Sequence, residues 1–275
     1  MIFVFKKWED FCKKLSESGM QSVSAKEIAS EKTYLVLKHD VETDVKKAYR
    51  MAEIEQKYGH RGSYYVQGYL MNDPENIRIL TQMQQMGHEI SYHYDVMDSN
   101  KGDIKKAILE FEENKKRFED NGFELSTVCQ HGNPIVERIG YHSNRDFFRN
   151  EKVQKKYPQI SDIMVNFKTA RQTDYIYYSD AGRKFKMIFD PINNDIVNSD
   201  DKNVVYKNLD EVLLKLSKNT GTIISIHPHR WTKSAAKYIF KTSAFKVIRF
   251  FAKILSRIPI FKKFMSRYYY LAKKI

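Results

Sequence analysis

Five of the chain's eight histidines, His39, His93, His131, His227 and His229, stand where apolar runs give way to polar residues, with the carboxylates Asp40, Glu42 and Asp95 beside them. Imidazole and carboxylate hold divalent metals through nitrogen and oxygen, and they give or take protons near neutral pH. Gathered at one mouth with a position open for water, they make a mononuclear hydrolytic centre. The donor types suit zinc or another divalent ion. Cys12 and Cys129 lack the paired spacing of a thiolate cluster and are read as structural. Asp40 ends a buried apolar run, where a carboxylate is costly unless paired or metal-bound. His39 reads equally well as a hydrogen-bonded core residue, and Asp95 as the cap of the next turn. His88 reads as the brace of a turn, and His60 and His142 as solvated loop positions.

These residues need elements that deliver them to one place. "TYLVLKHD" (33–40) is expected to be a buried strand, followed by a helix that Thr43 caps and Gly59 stops. "GSYYVQ" (62–67) is a second strand, and Asp73-Pro74 opens a helix that ends at Gly87 before a third strand, "HEISYHYD" (88–95). A long amphipathic helix over 102–122 leads to "STVCQHG" (126–132). Residues 140–205 are less regular, with strand-like pieces at 175–180 and 185–190. A helix opened by Asn208 over 211–221 precedes a last buried strand within "TIISIHPHRW" (222–231). Strands alternating with helices imply an α/β fold with parallel pairing, whose reactive groups collect at the C-terminal strand ends.

At 275 residues the chain is long enough for a large core. The apolar start, "MIFVF", is too short for a leader peptide core, and no run reaches the roughly 18 apolar residues of a membrane span. A cytoplasmic location is expected. Net charge is +13, but residues 230–275 hold 13 Lys and Arg and no acid, so the remainder is neutral with 34 charges of each sign. The expected organisation is therefore a body at 1–232 and a basic amphipathic helical tail at 233–275. Within the tail, Lys246, Arg249, Lys253 and Arg257 share one helix face, and Val247, Phe250, Phe251, Ile254 and Ile258 the other. That pattern fits an anionic membrane surface, at about 1 kcal/mol per nearby basic residue; a helix packed on the body also gives it but leaves the absence of acids unexplained. Nucleic acid is disfavoured, because no recognisable binding module is present.

"LVLKHDVE", "MGHEISYHYD", "CQHGNP" and "IHPHRW" occur in that order over roughly residues 33–231. Together they resemble the motifs of the polysaccharide deacetylase family, the NodB-like carbohydrate esterases, and in particular its branch linked to O-antigen and other surface-polysaccharide loci. The resemblance implies a deformed (β/α) TIM-like barrel of about seven strands and metal-dependent removal of acetyl groups from an N-acetylated sugar or glycan. It also implies Asp40 as general base, His227 as general acid, His93 as a metal ligand and Asp180 as the carboxylate that orients the acid.

Two positions depart from the family pattern. Val41 stands where a second aspartate is usual, so Asp40 and Glu42 are both open as base and as metal carboxylate. Met97 stands where a second metal histidine is usual, and a thioether is a poor ligand for a hard ion. His131, at a neighbouring strand end, is the expected replacement, giving a set of Asp40 or Glu42, His93 and His131. Without that replacement, the chain would be an inactive, membrane-attached glycan-binding protein.

Overall fold

The computed structural model describes residues 1–28, 33–133, 136–167, 175–189, 191 and 203–255. It opens with a helix, α1 (Phe5–Glu17), where the sequence reading placed no element. Its signal was present: Trp8, Phe11, Cys12 and Leu15 recur at helical spacing and are all buried. Strand β1 (Leu35–Val41) is buried at every residue, as a parallel strand covered on both faces must be. It leads into α2 (Val45–Lys57), whose cap is Asp44, not Thr43, because the Asp44 carboxylate accepts the Lys47 amide.

Then come β2 (Gly62–Val66), α3 (Pro74–Gln85), capped by Asp73, and β3 (Glu89–Tyr94). A short α4 (Val96–Ser99) separates β3 from α5 (Ile104–Asp120), and β4 (Thr127–Gln130) follows. The irregular stretch holds α6 (Asp146–Arg149), α7 (Glu151–Lys156), β5 (Ser161–Asp162), β6 (Tyr175–Ser179) and β7 (Phe185–Ile188). β8 (Val204–Tyr206) precedes α8 (Leu209–Leu213), shorter than its sequence pattern suggested, and β9 (Gly221–Ile226). The last described helix, α9 (Ala235–Leu255), begins against the body, with Tyr238 buried edge-on to Phe3. The expected tail residues Arg257 and Ile258 lie outside the described residues.

The strands form one sheet in the order β5-β4-β3-β2-β1-β9-β6-β7-β8, parallel except for the β6-β7 and β7-β8 pairs. Its inner face curls. Tyr65 of β2, Cys129 of β4, Ile163 just after β5, Tyr177 of β6 and Ile223 of β9 share one apolar cluster, although β5 and β6 are far apart in sheet order. The architecture is a deformed TIM-like α/β barrel. Two larger clusters lie between sheet and helices, one centred on Phe111 and one on Trp8 and Trp231.

Side chains alternate faces along a strand, which splits "KHDVE". Lys38 and Asp40 contact each other, whereas His39 goes to the helix layer, where Nε2 is 2.8 Å from Glu55 Oε1 and the ring stacks on Tyr64 with centroids 4.2 Å apart. Glu55 also accepts from Trp8 Nε1 at 3.0 Å and Tyr64 Oη at 2.8 Å. His39 is therefore a core residue. His88 braces the entry to β2, accepting the Gly62 amide at 3.0 Å. His60 corrects the sequence expectation: it is buried, because α1 covers it, and its Nε2 is 2.9 Å from the Cys12 carbonyl. His142 is 84% exposed, as expected. Glu55→Ala strips several buried donors of their acceptor and should destabilise the fold by about 3–5 kcal/mol in urea titration. A loss below about 1 kcal/mol would show that these partners find other acceptors.

Candidate metal and acid-base site

The C-terminal ends of β1, β3, β4 and β9 bring together Asp40, Glu42, His93, His131, His227 and His229, with Asp180 joining from the end of β6, whereas His39 faces the helix layer. Glu42, His93 and His131 are buried, and one ligand atom of each lies within 4.8 Å of the others. His131 Nε2 is 3.4 Å from Glu42 Oε1, and the His93 and His131 rings meet edge to face at 5.2 Å. His93 Nδ1 sits 3.0 Å from the Cys129 carbonyl. A carbonyl can only accept, so Nδ1 carries the hydrogen and Nε2 keeps the lone pair a metal needs. Burial holds the His93 ring down to about 3, against the pull of Asp40, so it is neutral at working pH.

A second group, Asp40, His93 and Cys129, is equally compact. It fits a metal less well. Burial pushes the Cys129 thiol well above its ordinary value, and both oxygens of Asp40 are already engaged. Two imidazoles and the Glu42 carboxylate, with water in the open position, are a donor set suited to zinc or a similar ion. Met97 lies in the apolar core with Tyr94 and Phe111, so it is not one of the groups gathered here.

Asp40 is held by Lys38, whose Nζ is 2.5 Å from Oδ1 and 2.7 Å from Oδ2. Ser225 Oγ from β9 adds a contact to Oδ2 at 3.3 Å. Burial alone would push the Asp40 carboxyl up, but the Lys38 ammonium, with His93 and His227, outweighs it and holds Asp40 well below the usual carboxylate range. The sequence reading missed Lys38. Its signal is a lysine inside an apolar strand, two residues before a carboxylate and so on the same face.

His227 closes the opposite side. Nε2 is 3.7 Å from Asp40 Oδ2 and 3.8 Å from Glu42 Oε1, and Nδ1 is 2.6 Å from Asp180 Oδ1. Asp180 is fully buried. It also accepts from the His227 amide at 3.1 Å, Trp231 Nε1 at 3.1 Å and Arg230 Nη1 at 3.1 Å, partners that hold it ionised against burial. Arg230 and Trp231 were not singled out from the sequence, since their role appears only when the turn at Pro228–Arg230 folds back over Asp180. His229 joins the cluster with its ring 5.9 Å from that of His227. Asp95 stands at the rim, its carboxylate 3.9 Å from His131 Nδ1.

No protein-family model matches this chain. No curated protein matches it either. Among solved structures, it is similar to the peptidoglycan deacetylase PdaC from Bacillus subtilis, at 10% identity and a TM-score of 0.39 over 80% of this chain and 97% of that one. A mutant of the same enzyme matches at 11% identity and 0.38, with the same coverage. The functional reading below rests on the site geometry.

Proposed function

We propose that the protein hydrolyses the acetamide of an N-acetylated sugar, with a divalent metal held by Glu42, His93 and His131. The observation that carries this reading is the position of His227 Nε2, within 4 Å of both Asp40 and Glu42. Proton carriers and ligand set therefore border the same small volume. A divalent ion there would polarise the acetamide carbonyl and acidify a water.

Asp40, kept ionised by Lys38, takes the proton of the attacking water as the C–O bond forms. The Asp180 carboxylate accepts from His227 Nδ1–H, so that Nε2–H faces the substrate and gives its proton to the nitrogen as the C–N bond breaks; the proton that Asp40 took from the water, 3.7 Å away, then replaces it at Nε2. One water is consumed, and acetate and an amino sugar leave. This divides the first motif: Asp40 is the base and Glu42 the ligand, because Lys38 occupies Asp40 while Glu42 faces His131. The inactive-binder reading depended on Met97, and no specific observation favours it.

The sugar is proposed to belong to a surface polysaccharide, built on an anionic carrier at the inner membrane face. Supporting this, Lys47 Nζ donates to the His229 carbonyl at 2.5 Å, and burial with Lys241, Lys237 and Arg183, against Asp44, lowers it to about 8. Ile239, Phe240 and Val247 of α9 are more than half exposed. Among the described residues no helix is long and apolar enough to cross a membrane.

The test is acetate release from N-acetylated sugars by metal-loaded protein. His227→Ala should lower the rate by about 10²–10⁴-fold. A folded, metal-loaded His227→Ala protein with undiminished acetate release would sink the assignment.

A further inference from the structure

The sequence leaves two covers for the apolar face of the basic tail, the body or a membrane, and the start of α9 separates them. Tyr238 is 6% exposed and edge-on to Phe3 with centroids 5.6 Å apart, and Thr242, one turn on, has a buried hydroxyl oxygen. That side of the helix meets the body. Phe240 follows Tyr238 by two residues, about 200° round the axis, and Val247 lies seven residues beyond Phe240, which returns it to the same side. Phe240 is 74% exposed and Val247 54%, so the side opposite Tyr238 is apolar and uncovered among the described residues. Val247 also belongs to the apolar face marked out by the sequence pattern. Had that face packed on the body, Val247 would be buried.

Charge selects the cover. Between Arg230 and Ile275 there are 13 Lys and Arg and no Asp or Glu. Lys237, three residues before Phe240 and so its neighbour on the helix surface, is exposed, as is Lys233 just before the helix. A second copy of the chain would bring an identical acid-free stretch against the first, and like charges across an interface oppose the contact. A nucleic acid would neutralise the cations but give Phe240 and Val247 no apolar surface to enter. An anionic bilayer meets both needs, with ammonium and guanidinium groups at the headgroups and apolar side chains at the acyl boundary.

We propose that α9 lies on the surface of an anionic bilayer through Phe240, Val247 and the lysines around them, while Tyr238 keeps the other side of the helix on the body. Docking of this kind uses none of the chemistry at Glu42, His93 and His131, so it goes beyond the deacetylase reading and does not depend on it. The docked helix begins close to the site, because Lys237 and Lys241 act on Lys47, whose Nζ donates to the His229 carbonyl.

The full chain is floated with vesicles of phosphatidylcholine, alone or with about one third phosphatidylglycerol, at low salt and at about 0.5 M salt. Binding to the anionic vesicles should exceed binding to the neutral ones by about tenfold or more, and it should fall at high salt. Phe240→Ser combined with Val247→Ser should weaken it by about tenfold or more, with the urea midpoint unchanged. Lys237→Gln should weaken it by about fivefold. Equal binding to the two kinds of vesicle, or binding that the double variant leaves intact, would overturn the proposal. So would a dimer in sedimentation that the double variant dissolves, since a second copy would then be the cover. A lowered urea midpoint in the double variant would overturn it too, because the chain itself would then cover the face. Failure of the deacetylase reading looks different: vesicle binding keeps this pattern while no N-acetylated sugar yields acetate.

Discussion

Asp40→Asn should lower acetate release by about 10²–10⁴-fold, the usual contribution of a positioned base. It should also weaken the fold by about 3–5 kcal/mol, and the two losses have separate causes. Lys38 is 1% exposed, and burial alone would lower its pKa, but the Asp40 charge more than offsets this and holds it well above its ordinary value. Asn keeps the shape of Asp40 but removes the charge, leaving an ammonium buried without its counterion, the expensive way to break a buried pair. Lys38→Met combined with Asp40→Asn removes both charges, and it should restore most of the stability and none of the activity. Urea midpoints and acetate rates on the three proteins decide the matter. Activity returning in the double variant would remove Asp40 from the role of base.

That pairing also shows which parts of the molecule were legible in the sequence. Strands β1, β2, β3 and β9 were readable because continuous apolar runs bounded by polar residues have few other uses, and strand-end histidines and carboxylates followed from them. His131 beside Glu42 and Asp180 beside His227 were both expected contacts, and both pairs are close. What was missed depends on contacts distant in sequence. α1 buries His60 under Cys12, Arg230 and Trp231 fold back on Asp180, and the sheet curls until Ile163 and Tyr177 share a cluster. None of these is local, so no window of residues encodes them. Lys38 and α1 itself are the exceptions: the spacing of Lys38 to Asp40 and the helical recurrence of Trp8, Phe11, Cys12 and Leu15 are both local.

Removal of the metal provides the other large effect. The metal-loaded protein should hold one divalent ion per chain, and His93→Gln should weaken binding by roughly a hundredfold or more, since even partners behind a ligand are worth about 10–100-fold. Stability without metal should then depend on pH in a way that identifies His93. In the unfolded chain its imidazole takes up a proton near its ordinary 6.5, whereas in the fold burial holds it to about 3. Between those values the unfolded state binds more protons, so lowering the pH stabilises it relative to the native state and stability falls. In chelator, the urea midpoint should decline from about pH 6.5 toward 3, and His93→Gln should flatten part of that decline. Added zinc should oppose the loss in the unaltered protein, because a ligand that binds only the native state stabilises it by mass action. Equal pH slopes for the two proteins in chelator, together with equal zinc content, would place the metal elsewhere than on His93.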